Sequence, residues 1–350
     1  MATSTCVEDR SLPTPDPDRR DGRLPRPDYA VAVVHHRSYG DLRRCLESVA
    51  ALEPAPRQVY VLDADGDPAE ARAVGEAWPE VVLEAAPNVG YAAGANRALA
   101  QLAAAAPEVE HLLLLNPDVV LAPAFARCML DALATRPHVA LACGRLTRPD
   151  APVLDSTGIV MPRNRRPRDR GAGEPDHGQF GSTEEVWGAS GAALWIRLAA
   201  ARDLSVEGEV FDEDFFVYHE DTDLSWRAHL LGWSVLYVAD AAAVHGRTWR
   251  ADRRFAMAES VRRHSFKNHY LEMIKNERGA RFWLDLPVIL LWEGLRLGFA
   301  LLRDRAVLPA YAQAWRLRGR AFAKRRVIQA RAARRRRSGE SPWQGPPLLP

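Results

Sequence analysis

The stretch His111-Leu112-Leu113-Leu114-Leu115-Asn116-Pro117-Asp118 decides the fold, because an apolar run ends there in residues that cannot continue it. A short apolar run closed by turn residues is typical of a strand that is buried on both faces. Four further apolar runs have a similar setting, at residues 29–34, 58–62, 81–83 and 139–142. The sequence therefore predicts five strands in the first half of the chain.

Helical patterns separate these strands. They cover residues 41–49, 68–78, 94–106 and 124–134. Asp41 is the expected N-cap of the first helix. Strands that alternate with helices favour an α/β fold, with a mostly parallel sheet flanked by helices on both faces. Ligands bind beyond the carboxyl ends of strands in such sheets, and Asp63, residues 88–90 and Asp118 fall at those ends.

The chain divides into four predicted segments. Residues 1–27 are rich in Pro, Asp and Arg and are expected to form a disordered leader. Residues 28–250 form the α/β domain, residues 251–337 a basic, amphipathic helical extension, and residues 338–350 a disordered tail. Within the domain, residues 148–185 are poor in apolar side chains and predict a long, mobile surface connection that could act as a lid.

The formal net charge of +2 hides a strong asymmetry. Residues 246–337 carry 24 Lys/Arg and 7 Asp/Glu, a net charge of +17, which leaves −15 for the rest of the chain. Such a basic segment indicates a nucleic acid or an anionic membrane as partner. A hydrophobic content of 47% excludes a disordered chain. The four cysteines form no CxxC pair, which argues against a zinc ribbon, and no apolar signal-peptide core is visible at the N-terminus.

Acidic residues supply the candidate chemistry. Asp118, at the exit of a buried strand, suits a hard divalent cation, although the alternative is that it caps the next helix. Glu220, Asp221 and Asp223 lie close enough to raise the proton affinity of one carboxylate, as a general base needs. The alternative is a helix N-terminus enriched in acids that the helix dipole stabilises. A lone His245 is more often structural than a metal ligand.

Common nucleotide and hydrolase motifs are absent. The first strand is followed by residues 35–40, His-His-Arg-Ser-Tyr-Gly, which do not contain the GxGxxG fingerprint of dinucleotide-binding folds. Neither a GxxxxGK[ST] phosphate loop nor a GxSxG nucleophile elbow occurs.

Taken together, the motifs resemble family 2 glycosyltransferases of the GT-A fold, and most closely the bacterial rhamnosyltransferase-like branch. The similarity extends over residues 29–275, about two thirds of the chain. It is carried in order by Asp63, residues 88–96 (NVGYAAGAN), 115–118 (LNPD), 187–192 (WGASGA), 211–224 (FDEDFFVYHEDTDL), Arg227, Gly232 and His245.

The resemblance implies a donor site for a nucleotide-diphosphate sugar. Asp63 would accept a hydrogen bond from the base, and Asn88, Gly90 and Asn96 would lie against the nucleotide. Trp187 and Gly191, at the two ends of the segment 187–191, would line the donor sugar and the acceptor.

The resemblance also implies a metal and a base. Asn116 and Asp118 would stand for the family's DxD motif, with Asp118 and His245 binding Mg²⁺ or Mn²⁺. Asp221 would be the general base, with Glu220 beside it. The sequence departs from the pattern at two positions: Ala64 replaces an amide residue that takes part in base recognition, and Asn116 is a neutral substitute for the first aspartate.

The implied activity is that of a hexosyltransferase in cell-envelope polysaccharide synthesis. It would transfer a sugar, with dTDP-rhamnose as the favoured donor, to a glycan or polyprenyl-linked acceptor with inversion and metal dependence. The expected location is the cytoplasm, at the inner face of the plasma membrane. A nucleotidyltransferase acting on sugar phosphates is an alternative, and it would release pyrophosphate instead of a nucleoside diphosphate.

The C-terminal segment contains the most apolar stretch, residues 283–302, which Asp285, Glu293 and Arg296 interrupt. These charges argue against a spanning helix and favour one that lies in an anionic membrane interface. The alternatives are a soluble helical cap packed on the domain, or a nucleic-acid-binding tail. The scarcity of aromatic residues near the tail arginines disfavours the nucleic acid.

Overall fold

The computed structural model describes residues 28–149, 151–246, 255 and 257–337. The leader predicted over residues 1–27 and the tail predicted over residues 338–350 lie outside the described residues. The strands are β1 (Tyr29–His35), β2 (Val59–Ala64), β3 (Val81–Ala86), β4 (His111–Leu115), β5 (Val119–Leu121), β6 (Val139–Thr147), β7 (Leu154–Ser156), β8 (Ile159–Val160), β9 (Arg168–Asp169), β10 (Glu184–Glu185), β11 (Ala193–Arg197) and β12 (Ser234–His245).

Helices separate the strands of the first half and form most of the C-terminal third. They are α1 (Tyr39–Ala50), α2 (Pro68–Ala77), α3 (Tyr91–Ala105), α4 (Phe125–Ala134), α5 (Leu198–Leu204), α6 (Glu220–Leu230), α7 (Glu259–Asn276), α8 (Ala280–Leu302) and α9 (Pro309–Arg337). Short 3₁₀ turns at Glu213–Phe215 and Arg305–Val307 precede α6 and α9.

In the described part of the chain, ten strands form one mixed sheet. Its order is β10-β12-β6-β11-β4-β1-β2-β3, with β5 beside β12 and β7 beside β6. The run β4-β1-β2-β3 is parallel, as is the pair β6 and β12, whereas β11 is antiparallel to both of its neighbours. The α/β fold predicted from the sequence, with its mostly parallel sheet, is confirmed.

The core lies on both faces of this sheet. Ala30, Ala32 and Val34 of β1 pack in the cluster that contains α3, while Val31 and Val33 pack in the cluster that contains α1 and α4. Alternate residues of a strand point to opposite faces, so a strand covered on both sides must be apolar throughout. This requirement explains why the buried strands appear as unbroken apolar runs.

Two predictions about local structure are wrong. Helix α1 begins at Tyr39 with Ser38 as N-cap, so Asp41 lies in its first turn instead of capping it. The segment 148–185 is not a loose surface connection over its described residues, since it contributes β7 to β10 and buries Leu154, Asp155 and Arg165. The prediction was wrong because polar side chains of this segment are buried and form ion pairs instead of facing solvent.

The C-terminal helices α7 and α9 dock on the α/β domain through ion pairs. Lys275 of α7 contacts Asp212 and Asp223, and Lys324 of α9 lies 2.6 Å from Asp212 and 2.8 Å from Glu209. Part of the positive charge of this segment therefore neutralises acids of the domain. For these two helices the structure matches the interpretation of a packed helical cap.

Candidate active site

The candidate site lies where the carboxyl ends of β4 and β12 meet the N-termini of α3 and α6. Asn116 and Asp118 follow β4, and β5, not a helix, comes next, so Asp118 is not a helix cap. Pairing of β12 with β5 sets His245 opposite Val119, beside Asp118. The sheet thus brings together two residues that are more than 120 positions apart in the sequence.

His245 is held between two carboxylates. Its Nε2 lies 3.3 Å from Asp118 Oδ1, and its Nδ1 donates to Asp155 Oδ2 over 2.7 Å. Burial lowers the pKa of the imidazole, but the hydrogen bonds and charges of Asp118 and Asp155 outweigh this effect and raise the pKa to about 9. His245 is therefore not an isolated structural histidine, and Asp155 fixes its ring orientation.

The acidic N-terminus of α6 forms the other side of the site. The backbone N–H of Gly191 donates to Asp221 Oδ2 over 2.8 Å, and the N–H of Thr222 donates to Asp221 Oδ1 over 2.8 Å. A β-carbon at Gly191 would lie 3.2 Å from the Asp221 side chain. The carboxylate of Asp221 is thus fixed by backbone groups.

Burial perturbs both acids at this helix start. Burial, and then the charge of Asp221, raise the pKa of Glu220 to about 8. Burial also raises the pKa of Asp221, although its hydrogen bond from Gly191 acts in the opposite direction. Burial, and then the charges of Glu220, Asp221 and Asp118, raise the pKa of Tyr91 at the start of α3 well above its usual value. The Tyr91 hydroxyl donates to the Gly191 carbonyl over 3.3 Å. The Ala192 carbonyl accepts from the Asn116 N–H over 2.9 Å, so the segment that fixes Asp221 also bonds to the segment of Asp118.

The turn before α6 has a strained backbone. Phe216, Tyr218 and His219 have φ values of 68°, 68° and 72°, in the left-handed region that non-glycine residues rarely adopt. Asn268 of α7 stabilises this turn, because its amide donates to the carbonyl oxygens of residues 215, 217 and 218. Such strain is concentrated at functional sites and persists only where surrounding contacts enforce it.

The C-terminal helix α7 also fixes the residue directly before Glu220. His219 Nδ1 lies 2.7 Å from the carboxylate of Glu272, which is almost fully buried. Two side chains of α7, Asn268 and Glu272, therefore determine where the acidic start of α6 lies.

Asp63, which was predicted to contact the donor base, is enclosed by neighbouring side chains. Asp63 is only 1% exposed, and its carboxylate accepts from His35 Nδ1 over 2.8 Å and from the Tyr39 hydroxyl over 2.6 Å. A β-carbon at Gly66 would lie 2.0 Å from the same carboxylate. The buried Asp63 carboxylate thus stabilises the loop after β2. Its predicted contact with a base stays a prediction.

Asn88 and Gly90 lie at the entrance to α3, as the motif requires. Asn88 Oδ1 accepts from the Gly90 N–H over 3.0 Å, and Gly90 has a φ of +92°. A β-carbon at Gly90 would lie 2.6 Å from Phe216, so glycine is needed both for its backbone conformation and for this close approach. The two residues therefore border the strained turn.

Two other predicted donor contacts are engaged in packing. Asn96 donates to the Phe211 carbonyl over 2.8 Å and accepts from the Phe211 N–H over 2.9 Å, so its amide ties α3 to the segment before α6. Trp187 is buried against Trp226, with ring centroids 6.0 Å apart, and its carbonyl accepts from His229. Their roles in donor binding stay predictions, and the structure assigns both side chains to the framework.

Several residues of the site were not predicted from the sequence. Asp155 contacts His245, and Tyr91 contacts Gly191. Asn268 and Glu272 contact the turn directly before Glu220, across sequence separations that no local motif reveals. Tyr91 lies inside the motif 88–96 and could have been noted there. Asp155 lies in a segment whose composition indicated a surface loop, and the two α7 residues lie in a helix that was interpreted as an extension.

A metal centre made of protein ligands alone is not found. Within residues 28–149, 151–246, 255 and 257–337 there is no cluster of three or more His, Cys, Asp or Glu side chains that could hold a metal ion. Across the same described residues, every helix is too short or too polar to cross a membrane. The metal-binding roles of Asp118 and His245 stay predictions.

The chain is similar in sequence to one characterised group of enzymes. It is 29% identical over 246 residues to N-acetylglucosaminyl-diphospho-decaprenol L-rhamnosyltransferase of Mycobacterium tuberculosis, a match that covers 61% of this chain and 75% of that relative. No protein-family model matches the chain.

The chain is also similar in structure to solved glycosyltransferases. The mannosyltransferase PcManGT of Pyrobaculum calidifontis, in complex with GDP-Man and Mn²⁺, has a TM-score of 0.50 and 16% identity, covering 90% of this chain and 88% of that one. TarS of S. aureus has a TM-score of 0.55 and 16% identity, covering 89% of this chain and 54% of TarS.

This is the fold of a GT-A glycosyltransferase. The predicted resemblance to rhamnosyltransferase-like family 2 glycosyltransferases and the predicted enzyme class, glycosyltransferase, are confirmed by the sequence relative. The structural neighbours confirm the predicted fold. In this GT-A chain, the pair Asp118–His245 and the acids of α6 occupy the carboxyl-end edge of the sheet, where ligands of α/β folds bind.

Proposed function

We propose that this chain transfers a sugar from a nucleotide-diphosphate donor to a lipid-linked acceptor. The observation that carries the proposal is the position of Asp221, whose carboxylate is fixed by the Gly191 N–H. The next residue, Ala192, accepts at its carbonyl from the Asn116 N–H over 2.9 Å, so Asp221 is tied to the segment that contains Asp118. One carboxylate can then activate an acceptor hydroxyl while the other side of the site holds the diphosphate.

Asp221 is proposed as the general base. An acceptor hydroxyl is a poor nucleophile until its proton is removed, and a carboxylate whose pKa is raised by burial is a stronger base than one in water. Glu220 has a pKa near 8, so at neutral pH it is mostly protonated and is less suited to this role. A single base on the face opposite the leaving diphosphate would give inversion at the anomeric carbon.

Asp118 and His245 are proposed to hold a divalent cation together with the donor diphosphate, and the imidazole would release its proton to solvent when the ion binds. Their oxygen and nitrogen atoms face each other across 3.3 Å, and Asp155 orients the imidazole from behind, as carboxylates do for metal-binding histidines. Such an ion, when bound, neutralises charge on the leaving diphosphate. The PcManGT complex contains Mn²⁺, which supports Mn²⁺ or Mg²⁺ as the ion.

The finer assignments rest on the sequence relative. The mycobacterial relative is named as a rhamnosyltransferase that acts on an N-acetylglucosaminyl-diphospho-decaprenol acceptor. By analogy we propose rhamnose, carried by dTDP, as the sugar and a polyprenyl-diphosphate glycan as the acceptor. A polyprenyl chain lies in a membrane, so the proposed place of work is the inner, anionic face of the plasma membrane.

The proposal is tested by substituting Asp221 with Asn. Transfer from dTDP-rhamnose to a polyprenyl-diphosphate-N-acetylglucosamine acceptor is measured by release of nucleoside diphosphate, and donor binding by titration calorimetry. We expect Asp221→Asn to lose transfer by at least about 100-fold, the usual contribution of a general base, while donor affinity is kept. The matched control is Asp131→Asn, the same change at an exposed position of α4. Comparable transfer by wild type and Asp221→Asn would refute the assignment.

A further inference from the structure

Helix α8 presents an apolar face to solvent. Leu284 is 73% exposed, Leu291 64% and Leu302 80%. The other large apolar residues exposed on this helix are Trp283, Leu290, Trp292, Leu295, Leu297, Phe299 and Leu301. A continuous exposed patch of this kind marks an interaction surface, because scattered single apolar residues are all that an ordinary surface shows.

The polar residues of α8 face the protein instead. Asp285 accepts from Arg165 over 2.9 Å, and Glu293 lies 3.0 Å from His269. The guanidinium of Arg296 lies 3.6 Å from the ring centroid of Phe266. The three charges that interrupt the apolar run are therefore all paired against the domain. A surface helix of a soluble protein has the opposite arrangement, with its apolar side inward.

The exposed charges on α8 and directly after it are all positive. Between residues 260 and 337, every residue that is both charged and exposed is an arginine, and the acids of this segment are buried or half-buried. These exposed arginines are Arg281, Arg303, Arg305, Arg316, Arg320, Arg326, Arg334, Arg336 and Arg337. Arg281 precedes the exposed apolar residues of α8, whereas Arg303 and Arg305 follow them directly.

We propose that the outer face of α8, residues 283–302, inserts into the interface of an anionic lipid bilayer. Apolar side chains flanked by arginines match the layers of such a bilayer, since the side chains enter the acyl region and the arginines remain among the phosphates. The inward polar face stays docked on the domain, so the helix lies in the membrane without crossing it. A second copy of the chain is a poorer occupant, because a symmetric contact would bring two sets of arginines together.

The attachment of α8 supports a fixed orientation on the membrane. Buried Arg165 bridges Asp285 of α8 and Glu277, with Arg165 Nε 2.6 Å from the Glu277 carboxylate. Glu277 directly follows α7, the helix whose Asn268 stabilises the turn before the proposed base. A membrane-bound α8 would therefore hold the site at a constant position relative to the lipid. The inference rests on the proposed function for its purpose, which is access to a lipid-linked acceptor.

The test is sedimentation of the full chain with vesicles, without donor or acceptor. Vesicles of phosphatidylcholine alone are compared with vesicles that also contain phosphatidylglycerol, at low salt. We expect wild type to bind to the anionic vesicles. For Leu291→Asp we expect the partition coefficient to fall by at least about tenfold, because the variant lacks the free energy gained when the Leu291 side chain moves from water into the bilayer. The control is Val82→Asp, the same kind of change at a residue of β3 that is 45% exposed, and it should bind like wild type.

Three outcomes would overturn the inference. They are no binding of wild type to anionic vesicles, equal binding by Leu291→Asp and wild type, or a lipid-free dimer that Leu291→Asp converts to a monomer, which would identify a second copy as the occupant. Thermal unfolding of the variant should match wild type because Leu291 points outward. Since no turnover is measured, the membrane inference can fail while the transferase proposal stands, and loss of transfer by Asp221→Asn does not depend on vesicles.

Discussion

Asn268→Asp changes one group of α7 and is expected to impair the site through the turn that precedes α6. The Asn268 amide nitrogen lies 2.9 Å from the carbonyl oxygens of Phe215 and Val217 and 2.7 Å from that of Tyr218. Asn268 is fully buried, so water cannot replace it. In the variant, a carboxyl oxygen faces these three carbonyls in place of a donor.

The magnitude follows from the two hydrogens of the amide. Leaving a buried carbonyl without its partner costs about 1–3 kcal/mol, so the loss of two donors costs about 2–6 kcal/mol. If the new carboxyl binds a proton, one donor returns and the cost is about half. The halved cost, about 1–3 kcal/mol, is less than the ordinary stability of a domain, about 5–15 kcal/mol, so the variant with a protonated carboxyl should still fold.

The effect on turnover is expected to exceed the effect on donor binding. Glu220 and Asp221 follow the strained turn directly, and a shift of the base by about 1 Å can cost about 100-fold in rate. Urea unfolding measures stability, and kinetics with both substrates separate kcat from KM. Gln101→Glu, the same amide-to-acid change at an exposed position of α3, is the control. An unchanged urea midpoint together with an unchanged kcat would show that Asn268 does not position the base.

Three further outcomes are expected. Asp118→Ala should abolish the Mn²⁺ dependence of donor affinity, and calorimetry with and without Mn²⁺ would contradict this if the dependence persisted. Lys324→Met should lower stability by about 3 kcal/mol, the lower end of the cost of breaking a buried ion pair, since Glu209 loses this partner while Asp212 retains Lys275, whereas exposed Arg326→Met on the same helix should unfold like wild type. The pKa of Glu220 is raised from 4.5 to about 8, so the folded state binds this proton more tightly, and the resulting stabilisation is complete below pH 4.5 and lost as the pH rises through 8. Glu220→Gln should therefore gain stability relative to wild type from pH 5 to pH 9 in thermal unfolding, and a constant difference would contradict the raised pKa.

Local patterns were sufficient for the sheet and for much of the site. A strand buried on both faces has to be apolar at every position, so the run that begins at His111 and the run at residues 29–34 could be recognised directly. The end of a buried strand is also visible in sequence, which is why Asp118 could be placed at the ligand-binding edge. The order of the motifs then indicated a resemblance to glycosyltransferases, and the sequence relative is a glycosyltransferase.

Side-chain partners depended on the tertiary structure. Nothing near Asp63 in sequence shows that His35 and Tyr39 enclose its carboxylate, or that Asn96 holds a neighbouring segment. The role of Asp155 could not be predicted either, since this residue lies in a polar segment whose composition is typical of a surface loop. A hydrogen bond depends on where two chain segments meet, and a local pattern contains no information on that meeting.

Helix α8 shows most clearly what a sequence pattern cannot determine. Its sequence determined that a long apolar helix would form and that three charges would interrupt it. Only the tertiary structure decided that these charges face the protein, where Arg165 and His269 pair with two of them, and that the leucines face outward. Periodicity specifies that a helix has two different faces, but which face is buried depends on the partners that the rest of the fold brings to it.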